Sequence, residues 1–275
     1  MSGPLAQAAG VAESLMSRLP WVSGAFPQSS VLAESGHRPW QLPRREWFMG
    51  QTWSTLLFAH WPVPRESLEP VVPPQLPIDS FDGQAWVGVT PFEVSGLRLR
   101  GTAPAPRLSH FPELNVRTYV TVKGKPGIYF LSLDAARRAA VLAARRIYRL
   151  PYFHARMARI ALRGGIEFSS ERRSSDGPPA AFAARYAPAG EVSQVMLGSL
   201  EYFLTERYCL YTLDEGQRVL RADIHHPPWP LQRAEAEIEM NTMAVPFGIH
   251  LEGAPLLHYS KRQDVVIWPL ASVGA

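Results

Sequence analysis

Alternation of apolar and polar positions organises the chain from Trp47 onward. Across Glu113-Leu114-Asn115-Val116-Arg117-Thr118-Tyr119-Val120, a period of two puts Asn115, Arg117, Tyr119 and Thr121 on one face of a strand. Val116, Thr118, Val120 and Val122 fall on the other. A half-buried strand would turn its arginine to water, whereas a closed β-barrel turns the same face inward, where a guanidinium and a phenol can meet a ligand. Further β-type runs bounded by Pro and Gly fall at 53–61, 84–94, 115–122, 127–133, 165–172, 180–186, 202–212, 217–224 and 259–268. The short connections Lys123-Gly124-Lys125-Pro126-Gly127 and Asp214-Glu215-Gly216 predict antiparallel hairpins.

One helix interrupts the strands. It is predicted over 134–148, with Asp134 as N-cap and Pro151 ending it. Ala140, Val141, Ala143, Ala144, Ile147 and Tyr148 fall on one side, and Arg137, Arg138, Arg145, Arg146 and Arg149 on the other. Residues 1–45 are richer in Ala, Ser, Gly and Pro and carry one short amphipathic stretch at Leu5, Ala8, Ala12, Leu15, Met16 and Leu19. They are expected to form a tail or weak helix beside a single barrel domain over 46–272.

Composition narrows the function. With 28 basic and 24 acidic residues the charge of +4 is modest, so nucleic-acid binding is not implied. The positive charge is almost all arginine: only Lys123, Lys125 and Lys261 are lysines, which limits any amine chemistry to three positions. Cys209 is the only cysteine, lies in a strand-like run, and reads as a small buried hydrophobe in a reducing compartment. No apolar run approaches the ~20 residues that span a bilayer. Arg44-Arg45 precedes Glu46 rather than an apolar segment, so no export signal is indicated and a cytoplasmic location without membrane association is expected. His225-His226 cannot easily converge on one ion from an extended chain, and no metal or other cofactor is expected.

Several ordered segments carry a family resemblance. Phe81-Asp82-Gly83 with Trp86-Val87-Gly88-Val89, then Glu113 to Val120, resemble the YqjF-like family of uncharacterised bacterial proteins. So do Gly127-Ile128-Tyr129-Phe130 with Ser132-Leu133-Asp134-Ala135, Leu150-Pro151-Tyr152 with Ala155 and Met157, and Phe203-Leu204-Thr205-Glu206-Arg207-Tyr208. The resemblance runs from Trp47 to Trp268. It implies a mainly β (α+β) fold like that of acetoacetate decarboxylase: an antiparallel, cone-shaped β-barrel with a few peripheral helices and a small-molecule cavity. The enzyme that names this superfamily uses a lysine as Schiff-base nucleophile. The matching place here is Leu150-Pro151-Tyr152-Phe153, which offers no amine, so Schiff-base decarboxylation is disfavoured. The superfamily's pocket glutamate falls at Glu113 or at Asn115; in the second case a carboxylate is lost as well.

Arg117 is then the leading binding candidate, as an anchor for a carboxylate; its competing role is an ion pair with Glu113 or Glu206. Asn115, Tyr119, His154 and Arg207 complete the expected binding set, and Glu113, Tyr152 and Glu206 are the expected proton-transfer residues. Packing is the competing role for Tyr152 and His154. Three functions follow: a small-molecule-binding barrel acting as a lyase-like enzyme on a carboxylate or carbonyl compound without a Schiff base, a non-catalytic binding or sensing module, or an interaction protein using the basic helix. The expected partner is a small organic molecule, and homo-oligomerisation stays open.

Overall fold

Twelve strands form one mixed sheet in the computed structural model, which describes residues 27–104, 109–172 and 177–274. In chain order the strands are β1 Met49–Val63, β2 Ala85–Leu99, β3 Phe111–Val122, β4 Lys125–Ala135, β5 Tyr152–Leu162 and β6 Gly165–Arg172. They continue as β7 Ala180–Ser193, β8 Cys209–Leu213, β9 Val219–His225, β10 Leu231–Asn241, β11 Leu256–Ile267 and β12 Ala271–Ser272. Short helices are α1 Pro27–Ser30, α2 Arg65–Leu68, α3 Arg138–Tyr148 and α4 Leu200–Thr205. The amphipathic stretch from Leu5 to Leu19 lies outside the described residues.

The sheet curls into a ring, as the resemblance implies. The order β12-β9-β8-β4-β3-β2-β1-β11-β10-β7-β6-β5 is closed by two further pairings, β9 with β11 and β4 with β5. One ring therefore runs β9-β8-β4-β3-β2-β1-β11, and a second runs β4-β3-β2-β1-β11-β10-β7-β6-β5. Pairings are antiparallel except where β4 meets β5 and β8, which makes the sheet mixed. Strands β1 to β4 belong to both rings, as does β11, and β1 to β4 are covered on both faces over most of their length. That explains why β3 is buried along most of its length although every second residue is polar.

One face of the shared strands builds the main core. Leu57, Ala59, Val87, Val89, Leu114 and Val116 pack there with Phe168 and Phe182 from β6 and β7. The opposite face, with Phe58, Thr90, Phe92, Glu113, Asn115 and Arg117, turns toward a cavity. The β3–β4 connection is the two-residue turn Lys123-Gly124, both residues at positive φ (50° and 74°), a geometry whose twist suits a hairpin.

Three expectations are corrected. The run 202–212 is not one strand: α4 occupies its first part, N-capped by the Ser199 side chain, which accepts from Tyr202 N at 3.2 Å, and β8 begins only at Cys209. Asp134 is not an N-cap. It is the penultimate residue of β4, fully buried and ion-paired with Arg172 at 2.7 Å, and α3 begins after Arg137. Strands β5 and β10 fall where no strand is predicted. The Ala- and Glu-rich β10 exposes every second residue, and its pairing with β7 prevails over weak local preference. Residues 27–45 lie along the barrel, with Gln28 and Arg38 buried. Among the described residues no helix is long and apolar enough to cross a membrane.

Candidate functional site

A cavity of about 270 Å³ opens between the inner face of β1 to β4 and helix α3. Its wall is mostly aromatic and aliphatic, with Trp53, Phe58, Phe92, Phe111, Phe130 and Trp229 among its larger members. Alternation along β3 delivers Glu113, Asn115 and Arg117 to the wall, as expected for one face of a strand. Tyr152 enters at the start of β5, and Thr205 and Arg207 follow from the end of α4 and the segment after it.

Arg117 is 7% exposed. Its Nη2 donates to the Leu204 carbonyl at 3.1 Å, and its guanidinium lies over the Phe58 ring at 5.2 Å. The carbonyls of a helix's last turn have no partner within the helix, so the C-terminal end of α4 is a natural acceptor for this cation. Arg117 Nε has no hydrogen-bond partner, and no carboxylate among the described residues pairs with the group. Glu206, an alternative ionic partner, is turned elsewhere: it accepts from the Tyr208 hydroxyl and from Trp229 N, the latter at 2.9 Å, and it does not line the cavity. Burial raises its carboxyl above the usual range.

Glu113 is the second buried ionisable group of the wall. The Tyr152 hydroxyl donates to its Oε1 at 3.1 Å. With the Asn115 amide turned so that its nitrogen faces the acceptors around it, that nitrogen donates to Glu113 Oε1 at 3.1 Å and to Leu114 O at 3.3 Å. Burial pushes the carboxyl up to about 8 against these two hydrogen bonds, so at neutral pH it is protonated. Tyr152 in turn is raised well above the usual phenol value by burial and by its acidic neighbour.

The remaining expected residues divide. Arg207 lines the cavity but is already neutralised, its Nη1 lying 2.7 Å from Asp79 Oδ2. Tyr119 stands behind the wall, donating to the Leu204 carbonyl at 2.9 Å and sharing a 2.7 Å hydrogen bond with His60 Nε2. It thus fixes the same carbonyl that Arg117 uses. His154 lies on β5, half-buried, and does not line the cavity. The arginines of α3 form no uninterrupted exposed patch: Arg145 Nε donates to Tyr152 O at 2.6 Å, and Arg149 meets Glu215 at 3.3 Å.

Sequence reasoning missed Thr90, Tyr148 and His226 as wall residues with polar groups; Trp229 lines the wall with them. Thr90 Oγ1, Tyr148 OH and Trp229 Nε1 are buried without a partner. Adjacency gave one clue: His225 and His226 point to opposite sides, His225 to the Val31 carbonyl at 2.8 Å and His226 to the cavity, stacked on Tyr208. Burial lowers both imidazoles to about 4, so both are neutral at physiological pH. The lysines all stand apart from the cavity. Lys123 reaches Gly274 O at 2.7 Å, Lys125 pairs with Asp223 at 2.6 Å, and Lys261 is exposed. Cys209 is buried and its thiol raised to about 11, mainly by burial. Among the described residues no set of three His, Cys, Asp or Glu side chains converges to hold a metal ion.

Comparison with known proteins agrees with this architecture. Residues 50–264 match the DUF2071 model, described as an uncharacterized conserved protein. The uncharacterized protein YqjF of Bacillus subtilis is 49% identical over 230 residues, covering 83% of this chain and 94% of that protein. Among solved structures, the enduracididine biosynthesis enzyme MppR complexed with pyruvate superposes with a TM-score of 0.58 at 10% identity, over 87% of this chain and 93% of its own. Acetoacetate decarboxylase from Legionella pneumophila gives 0.56 at 10% identity, over 86% and 94%. At such identities the structural likeness establishes the fold alone.

Proposed function

The chain belongs to the DUF2071 family, and from that premise we propose that its cavity binds a small organic molecule through a carboxylate held by Arg117. One observation carries this reading: a buried guanidinium in an apolar cavity, bonded to a backbone carbonyl and paired with no carboxylate among the described residues. An unpaired buried charge is costly, and the planar donor fork of arginine matches a carboxylate in two-point fashion. The wall otherwise contributes little charge, because Arg207 is offset by Asp79, Glu113 is protonated and His226 is neutral at pH 7. Arg117 thus leaves the site positive. The pyruvate held by MppR, a fold relative, is a ligand of the same chemical type.

Chemistry on that ligand runs through Glu113 and Tyr152, a neutral carboxyl hydrogen-bonded to a phenol and suited to proton transfer in a lyase or hydration step. No Schiff base takes part, since no lysine lines the wall. The absence of an amine from the wall equally favours a second reading, a binding or sensing module without turnover. Thermal-shift measurements with small organic acids test the binding: stabilisation of the wild type is expected, reduced about 10- to 100-fold in apparent affinity in Arg117→Ala, the range for a hydrogen bond to a charged group. Stabilisation unchanged by the substitution contradicts the assignment. Product analysis with each hit separates enzyme from sensor, and borohydride trapping with carbonyl ligands is expected to give no adduct.

A further inference from the structure

The exposed residues of the cavity wall are all apolar, whereas its charged side chains are buried. At the inner end stand Thr90, Arg117, Thr205, Arg207 and His226, all buried. Toward the mouth the wall loses its ionic groups and becomes aliphatic: Leu99 is 39% and Ile147 46% exposed, and Leu97 and Ala143 lie beside them. Helix α3 presents Ala139, Ala140, Ala143 and Ala144 to the cavity, so its first two turns roof this part with the smallest apolar side chains, and Ile147 and Tyr148 follow in its last turn. Larger residues there would fill the passage.

The passage is long relative to a small acid. The wall residues Phe111, Glu113, Asn115 and Arg117 follow one face of β3, and six residues of strand advance about 20 Å. A short carboxylate held by Arg117 would occupy the inner end alone and leave Trp53, Phe92 and Phe111 without contact. Glu113, midway along, is no obstacle to an apolar chain: its carboxyl is tied to Tyr152 and Asn115.

Resting on the carboxylate reading above, we propose that the ligand is an amphipathic monocarboxylate, with its head on Arg117 and an aliphatic or aryl tail running outward beneath α3. The inner end supplies the charge and the fork geometry, and the aromatic and aliphatic length supplies affinity by burying apolar surface.

Calorimetric titration of the full chain with acetate, butyrate, hexanoate, octanoate and 1-octanol tests this. Affinity is expected to rise about fourfold for each added methylene from butyrate onward. Octanoate is expected to bind at least tenfold more tightly than 1-octanol. Ala143→Trp, an exposed substitution at the mouth, is expected to flatten the chain-length series while leaving butyrate binding intact; its melting curve reports that it folds. A flat series in wild type, with binding still lost in Arg117→Ala, overturns the tail and leaves the carboxylate reading standing. Binding of octanol as tight as octanoate overturns the head placement. No binding by any acid overturns both.

Discussion

Glu113 and Arg117 share one face of one strand, yet burial acts on them in opposite ways. A guanidinium keeps its charge at any physiological pH, whereas the Glu113 carboxyl, raised to about 8, keeps its proton instead. The difference has a consequence for stability. An unfolded chain releases the Glu113 proton near 4.5 and the folded chain near 8, so between these values the unfolded state binds fewer protons and stability falls as pH rises. His225 and His226 act in the opposite sense over a lower, overlapping window: lowered to about 4 when folded, they withdraw stability as pH falls from 6.5 toward 4. In Glu113→Gln, thermal melts across pH 6.5 to 8, above the range in which the two histidines act, are expected to show a shallower decline than wild type, with the variant relatively more stable at the alkaline end; an unchanged slope contradicts the buried, protonated carboxyl. Asn115 and Arg117 were legible in the sequence by alternation, and Glu113 and Tyr152 through the family resemblance, Tyr152 by its place after Leu150-Pro151. Thr90 and Tyr148 were not, because nothing local distinguishes a polar atom left unpartnered in a wall from one bonded across a core. Asp134 misled for a related reason: an acid just before a helical run looks like a cap, and its partner Arg172 lies 38 residues away in β6.

At the scale of elements, the hairpins and most of the strands follow from period-two patterning and turn residues, and α3 from its Ala-rich run. The failures lie where context decides. Helix α4 is a short segment between Gly198 and β8, too brief for a helical period to stand out, although its C-terminal carbonyl positions both Arg117 and Tyr119. Strand β4 depends on a glycine for a contact that no local pattern shows. A Cβ on Gly127 would lie 2.6 Å from Tyr211 Cε2 and 2.8 Å from Cys209 Sγ, on the strand that β4 meets in parallel. Gly127→Ala is therefore expected to lower stability by about 1–3 kcal/mol, the usual range for overpacking a tight interior. Urea denaturation measures this, and a neutral result would show that β4 and β8 are less closely packed than described.

In the whole molecule, two rings share strands β1 to β4 and β11, and this sharing converts the amphipathic β3 into a strand buried on both sides. A single face of β3 then builds core with β6 and β7 while the other lines the cavity. The mainly β, ring-forming fold was legible through the family resemblance; the mixed pairing of β4 was not, since parallel partners distant in sequence leave no local trace. The cavity owes its charge to one arginine with no acidic partner among the described residues. The most direct test is a double-mutant-style cycle by calorimetry, comparing octanoate with octanamide in wild type and in Arg117→Met. A preference of tenfold or more for the acid is expected in wild type and is expected to vanish in the variant. An acid preference that survives the loss of the guanidinium would contradict Arg117 as the anchor.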